Sequence, residues 1–415
     1  MKFSICIRAG ILMAIASNTI WISTAQARSD SANISKLAEI INRSLQANPE
    51  ILAAQFAVDA AKAHLAGTAL PLNNPELEGE AERTDINTFQ LGISQTIDWH
   101  DKRSALEQVA QTELQTMQQQ LTALRLEKST GLMDAIGRIS IQSAINDLSQ
   151  RRTEVLKRFT TLAEKRHTAG DIPRAELELA RLSLSEASMA HARNQAELIL
   201  ANNDFLALSG QILTEAIRLP QFLSIDPKIA SDTESLARQH PQVQVALLKS
   251  QIAKKQINAT DRERKSDPTF GVSAGREDDN NLLAVRFSIP LQVRNNYQSN
   301  VDVARAEALQ AEQEAQQVYW NLRAQLKSAK QRYEIISAAW KQWLNQGQTS
   351  LRQRAKLLEI LWQAGEIDTT DYLLQVQQTL DTQIAGIKLH GDLWKSWLDW
   401  MNTSSKLDTW LNQKN

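Results

Sequence analysis

The chain has 415 residues, and its 46 Lys and Arg against 47 Asp and Glu give a formal charge of −1. That near-balance excludes the basic stripe a nucleic-acid binder needs. Only 9 prolines and 14 glycines interrupt it, too few to punctuate the two or three compact domains such a length ordinarily holds.

The N-terminus reads as a cleaved secretory signal peptide over residues 1–27. Lys2 and Arg8 form the basic start, an apolar run extends from Ala9 to Ile22, and Ala25-Gln26-Ala27 is the small-x-small pattern cut after Ala27. The apolar run is too short, and too broken by Ser17, Asn18 and Thr19, to cross ~30 Å of hydrocarbon. Cleavage removes Cys6, the single cysteine, and with Lys2 and Arg8 gone the charge falls from −1 to −3. The mature chain then has no disulfide, no Cys-type zinc site and no cysteine at the cleavage point for lipid attachment.

The remainder reads as a duplication. Asn48-Pro49-Glu50 pairs with His240-Pro241-Gln242, Ser94-Gln95-Thr96-Ile97 with Ser288-Ile289-Pro290-Leu291, and Ala169-Gly170-Asp171-Ile172 with Ala364-Gly365-Glu366-Ile367. The order is the same and the shift nearly constant, the mark of an internal repeat. The expected organisation is a first repeat over 28–208, a linker over 209–240 with Pro220 and Pro227, a second repeat over 241–403 and a tail over 404–415.

Each repeat opens with a helix, over 35–69 and 241–265. Period-two segments follow, over about 75–98 and about 268–292. Phe89, Leu91, Ile93 and Ile97 alternate in the first. In the second, Phe270, Val272 and Ala274 precede a polar tip, and Leu283, Val285, Phe287, Ile289 and Leu291 follow it. Alternation with a polar tip predicts β-hairpins. Glu76, Glu78, Glu80 and Glu82 share one face of the first strand.

Then come proline-free stretches, from Asp101 to Ala169 and from Leu291 onward. About 65 helical residues make a rod on the order of 100 Å. Ile145, Leu148, Val155, Phe159 and Leu162 step by three and four, with Arg152 at one seam position. Leu373, Val376, Leu380, Gln383, Ile387, His390, Trp394, Trp397 and Met401 do so without interruption. Such seams predict coiled-coil packing, and they assign Trp394 and Trp397 to packing rather than to a membrane-interface belt. Four strands cannot close a barrel, and an open sheet edge is not tolerated in lipid; three copies would supply twelve strands.

The segments Asn48-Pro49-Glu50-Ile51, Gly92 to Arg103, Phe287 to Asn295 and the two Ala-Gly-Asp/Glu turns resemble the TolC-type outer-membrane factor family, over essentially the whole mature chain. The Ser-Gln-x-Ile…Lys-Arg and Ile-Pro-Leu…Arg-Asn pair is similar to its CzcC-like cation-efflux branch. The chain departs from that branch at Trp99-His100-Asp101, where glycines are usual, and at Tyr297. The resemblance implies a mainly α fold with a small β part. Duplicated long helical hairpins would form a trimeric twelve-helix α-barrel, capped by a twelve-stranded transmembrane β-barrel. It further implies a homotrimer in the cell outer membrane, extending into the periplasm. This trimer would be a passive efflux channel docked to a periplasmic adaptor and an inner-membrane RND-type pump, with heavy-metal cations as substrate. The same fold serves drug efflux and type I protein secretion; a periplasmic coiled-coil adaptor is a remoter reading, set against the duplicated strands.

On this reading Gly170, Asp171, Gly365 and Glu366 are periplasmic tips that meet the adaptor, or plain helix reversals. Asp371, with Asp368 and Glu176, is a candidate for the tunnel aperture, or a solvated surface acid. Glu76, Glu78, Glu80 and Glu82 would face the lumen, because lipid does not accept them. No cofactor is expected. The six histidines are scattered without ligand spacing, so no protein metal site is expected. With no phosphate loop, nucleophile elbow or metal motif, the chain does not read as an enzyme.

Overall fold

The computed structural model describes residues 33–85, 87–214, 217–227, 231–363 and 366–412; the expected signal peptide and Gly365 lie outside them. Helices dominate: α1 (33–47), α2 (Pro49–Thr68), α3 (Lys102–Ala169), α4 (Arg174–Ser209), α5 (Thr233–Gln239), α6 (Pro241–Glu263), α7 (Gln298–Gln342), α8 (Gln348–Gln363), α9 (Thr369–Thr403) and α10 (Leu407–Leu411). The strands are β1 (Glu76–Arg83), β2 (Asn87–Thr96), β3 (Thr269–Glu277) and β4 (Asn280–Ser288). Among the described residues, no helix is long and apolar enough to cross a membrane.

The chain divides into two compact units, one holding residues 49–124 and 234–324 and the other holding 33–48, 125–233 and 325–412. In the first unit all four strands form one antiparallel sheet in the order β1-β2-β3-β4. Leu77 pairs with Ile93, Ile93 with Val272, and Val272 with Val285. The ladder of β4 ends at Ser288, so Ile289 and Leu291 continue the alternation outside the strand; Pro290 has no N–H to extend it. At the exit from β2, the Asp98 carboxylate accepts from the backbone N–H of Lys102 at 2.8 Å and of Arg103 at 2.9 Å. This capping satisfies two donors at the start of α3. Lys102 in turn pairs with Asp267 at 2.9 Å, and both side chains are largely buried.

In the second unit the seam of α9 matches its spacing. Leu373, Trp394, Trp397 and Met401 are buried, and Val376, Leu380, Gln383, Ile387 and His390 partly so. On α3 the buried face is turned: Leu156, Phe159, Thr160 and Ala163 are inside while Leu162 is 37% exposed. Sequence spacing alone places Leu162 in the seam. The structure corrects this because α4 and α9 close on the Leu156–Phe159 side, against Leu177, Ala180, Tyr372 and Leu373.

Two further expectations are revised. The first helix is not continuous over 35–69 but breaks at Asn48, since a residue before proline is pushed out of the α region. Asn48 Nδ2 instead donates to the Leu208 carbonyl at 3.3 Å. The long helix of the second half contains a π-helical turn, Trp343–Gly347, between α7 and α8. There the Trp343 ring fills the space over Gly347 and Gly386, where a Cβ would come within 2.3 and 2.4 Å of it.

The linker is held rather than loose. Tyr333 Oη donates to the Leu223 carbonyl at 2.5 Å and Trp340 Nε1 to Gln221 at 2.9 Å. His390 Nε2 meets the Pro220 carbonyl at 2.9 Å, and Trp397 Nε1 donates to Ser224 at 3.4 Å. Four aromatic side chains of α7 and α9 thus tie down linker carbonyls from Pro220 to Ser224.

Candidate functional site

The sheet separates its chemistry by face. Register places Leu77, Leu91, Ile93, Phe270, Val272, Leu283, Val285 and Phe287 on one side. These residues are not buried in the chain: Leu77 is 78%, Leu283 79% and Val285 78% exposed. The opposite side carries Glu76, Glu78, Glu80 and Glu82 with Gln90, Ser94, Ser273, Glu277 and Arg286. The four predicted glutamates therefore do share a face, opposite the apolar one. Ser94 Oγ donates to Glu78 at 2.7 Å, Gln90 donates to Glu80, and Arg286 Nη1 pairs with Glu78 at 2.5 Å. Sequence reasoning passed over Arg286. Its signal was parity, since it stands one residue out of step with Val285 and Phe287 on the apolar face.

The two turns lie in the other unit. At the first, Gly170 adopts φ +83°. Its N–H donates to His167 O at 3.0 Å, and the Asp171 N–H donates to Arg166 O at 2.8 Å. This is a Schellman reversal, which needs the left-handed conformation that glycine adopts without steric cost. At the second, Glu366 N–H makes the corresponding bond to Leu361 O at 3.0 Å. Ile172 and Ile367, one step beyond each turn, pack against the same cluster as Phe159 and Tyr372, whose rings stack at 5.3 Å. The structure thus brings both turns to one end of this unit.

The acids there divide by role. Asp368 is the N-cap of α9, its Oδ1 accepting from the Asp371 backbone N–H at 2.7 Å. Asp371 itself is exposed in the first turn, as Glu176 is partly exposed in the first turn of α4. Beside this cluster lies a cavity of about 510 Å³ between α3 and α9, flanked by Arg151, Arg152 and Arg158. Arg152 Nε has no hydrogen-bond partner among the described residues, the cost of an arginine at a seam position.

His191 meets Ser149 Oγ at 3.1 Å, and His240 caps α6 by accepting from Gln242 N–H at 3.2 Å. Among the described residues, no group of three or more His, Cys, Asp or Glu side chains could hold a metal ion.

No family model matches the sequence, and no curated protein matches it. Solved structures do. The outer-membrane channel OprN superposes with a TM-score of 0.75 at 16% identity, covering 89% of this chain and 89% of that one. The outer membrane protein VceC of Vibrio cholerae gives 0.73 at 18% identity, covering 89% and 96%. The open state of the MtrE outer membrane channel of Neisseria gonorrhoeae gives 0.74 at 15% identity, covering 89% and 88%. At such identities the likeness is one of architecture, and nearly the full length of each chain takes part: this chain has the fold of outer-membrane channel subunits.

Proposed function

We propose that the chain is one subunit of a homotrimeric outer-membrane channel that passively conducts substrate to the exterior. Three four-stranded sheets would close a twelve-stranded barrel, and the helical hairpins would close a twelve-helix tunnel into the periplasm. One observation carries this reading: the sheet exposes an apolar face on one side and an acidic face on the other, with β1 and β4 as unpaired edges. In water the apolar face is a liability, and in lipid an open edge is prohibitive. A closed barrel with lipid outside and a polar lumen inside resolves both.

The two turns at one end of the second unit would meet a periplasmic adaptor, and an inner-membrane RND-type pump would supply the energy. The similarity of the strand-to-helix junctions to the CzcC-like branch, together with the acidic lumen, favours heavy-metal cations as cargo. The protein would not be an enzyme.

The channel reading is tested by membrane fractionation and conductance. Heat-modifiable trimers in the outer-membrane fraction, with step conductance in planar bilayers, are expected; a stable water-soluble monomer would end it. Adaptor docking is tested at Gly170. Gly170→Pro forces φ near −65° and removes the donor to His167, so efflux should be lost while trimers still form. The cargo is tested by metal sensitivity of a deletion strain, and unchanged tolerance to metals would discard the cation assignment.

A further inference from the structure

Arg286 is the single cation on the polar face of the strands, which otherwise carries Glu76, Glu78, Glu80, Glu82 and Glu277. Its partner Glu78 lies not on the neighbouring strand but on β1, at the opposite edge of the sheet. Flat strands ~4.8 Å apart would leave these two edges about 14 Å apart. The two long side chains together reach across β2 and β3 over the polar face to meet at 2.5 Å. The path between the two residues crosses only small side chains. Glu78 is paired with Gly92, Gly92 with Ser273, and Arg286 with Gly271. A Cβ on Gly92 would meet Ser273 Cβ at 2.7 Å, so the strands leave no room there for anything larger. A cavity of about 460 Å³ follows this line, bounded by Glu78, Glu80, Gln90, Ser273 and Arg286.

Both partners are solvent-accessible, at 60% for Arg286 and 38% for Glu78. Such an exposed pair contributes little to stability. Its consequence is the distribution of charge. Glu78 is compensated by Arg286 and held by Ser94, and Glu80 accepts from Gln90. Glu76, at the helix end of β1, and Glu82, beside the hairpin tip, have no cationic partner among the described residues.

We infer that Arg286 is a specificity-determining residue of the channel: it divides the acidic lumen into two anionic ends separated by a neutralised band, and so sets how strongly cations are preferred over anions. The inference rests on the channel reading above. Rings of fixed charge bias permeation by sign, and removing one positive charge per subunit deepens the negative potential along the path.

The test is the reversal potential of purified trimers in a planar bilayer under a KCl gradient. A shift of about one kT in lumen potential changes each ion's partition roughly threefold. Potassium gains and chloride loses by that factor, so Arg286→Gln is expected to raise the potassium-to-chloride permeability ratio by the square of it, roughly sevenfold. Glu78→Gln should lower it, and the double variant should return near the wild type. Arg286→Lys should keep the wild-type ratio, which separates charge from shape, and the differences should shrink at high salt as screening grows. Conducting Arg286→Gln trimers with the wild-type ratio would overturn the inference. If that variant does not assemble, an unchanged ratio in Glu78→Gln does the same. Wild-type trimers that do not conduct would instead remove the channel reading itself.

Discussion

The indole of Trp394 occupies the space that a side chain at Gly137 would need. A Cβ at Gly137 would stand 2.3 Å from Nε1 and 2.4 Å from Cδ1. The indole cannot retreat, because it is 2% exposed and its Nε1 donates to the Met133 carbonyl at 3.2 Å. It also packs against Trp397, whose ring centroid is 5.4 Å away and which meets Trp410 at 4.6 Å.

Gly137→Ala should therefore destabilise the chain, although alanine is the better helix former. Helix propensity favours the alanine by roughly 0.5–1 kcal/mol, but forcing a methyl into a filled core costs typically about 1–3 kcal/mol. The expected result is a lower midpoint of thermal unfolding, with a changed near-ultraviolet circular dichroism signal from the tryptophans. A variant at least as stable as the wild type would show that the helices separate freely here.

Acid should loosen the clamp on the linker. His390 is stacked on Trp340 with centroids 4.6 Å apart. Burial lowers its pKa below the ordinary 6.5, opposed less strongly by the hydrogen bond to Pro220. The carbonyl can only accept, so Nε2 carries the proton and the neutral ring suffices. A depressed folded pKa means that the unfolded chain binds the proton first. The stability contributed is fully present above about 6.5 and is lost as pH falls from there through the folded value. Thermal midpoints measured from pH 7.5 down to 5 should fall with a slope that His390→Gln reduces. Equal slopes would remove His390 from the account.

Much of this architecture is legible in residue order, for reasons that also mark the limit. The strands announce themselves because one face must be apolar, and the α9 seam because its three-and-four spacing falls on the inner side of the helix. Leu162 misleads because spacing gives a helix's apolar stripe but not the direction from which neighbours approach. The reach of Arg286 to Glu78 depends on strand order and register, which no local pattern encodes. Two residues beside the strand-to-helix junctions carry a visible backbone cost. Asp101 and Tyr297 both hold positive φ, 55° and 54°, the left-handed region in which a non-glycine residue is strained. Asp101 is held there by Arg262, which donates to its carbonyl and its carboxylate, each at 2.7 Å; nothing in the structure explains the tyrosine.

The two faces of the sheet should respond oppositely to charge. Val285→Arg places a cation in the middle of the apolar face, where lipid would exact about 2–4 kcal/mol at the midplane. Glu80→Gln on the polar face removes a charge but keeps an acceptor for Gln90. The yield of heat-modifiable trimers in the outer-membrane fraction should drop sharply for the first and stay near wild type for the second. Equal yields would mean that the apolar face meets something other than lipid.

Asp368 and Asp371 stand one helical turn apart, and their substitutions separate structure from conduction. Asp368 accepts the Asp371 backbone N–H, so Asp368→Ala should cost about 1 kcal/mol of helix capping. This should appear as faster amide hydrogen exchange in the first turn of α9. Asp371 contributes only its backbone to that bond, and its carboxylate is exposed. Asp371→Ala should therefore leave exchange at that turn unchanged. If three copies of this acid ring the aperture, removing them relieves like-charge repulsion and weakens cation preference together. Single-trimer conductance should then open less readily and discriminate less between potassium and chloride. Asp371→Ala trimers that match the wild type in both respects would return Asp371 to the ordinary surface acids and leave Asp368 and Glu176 as the remaining aperture candidates.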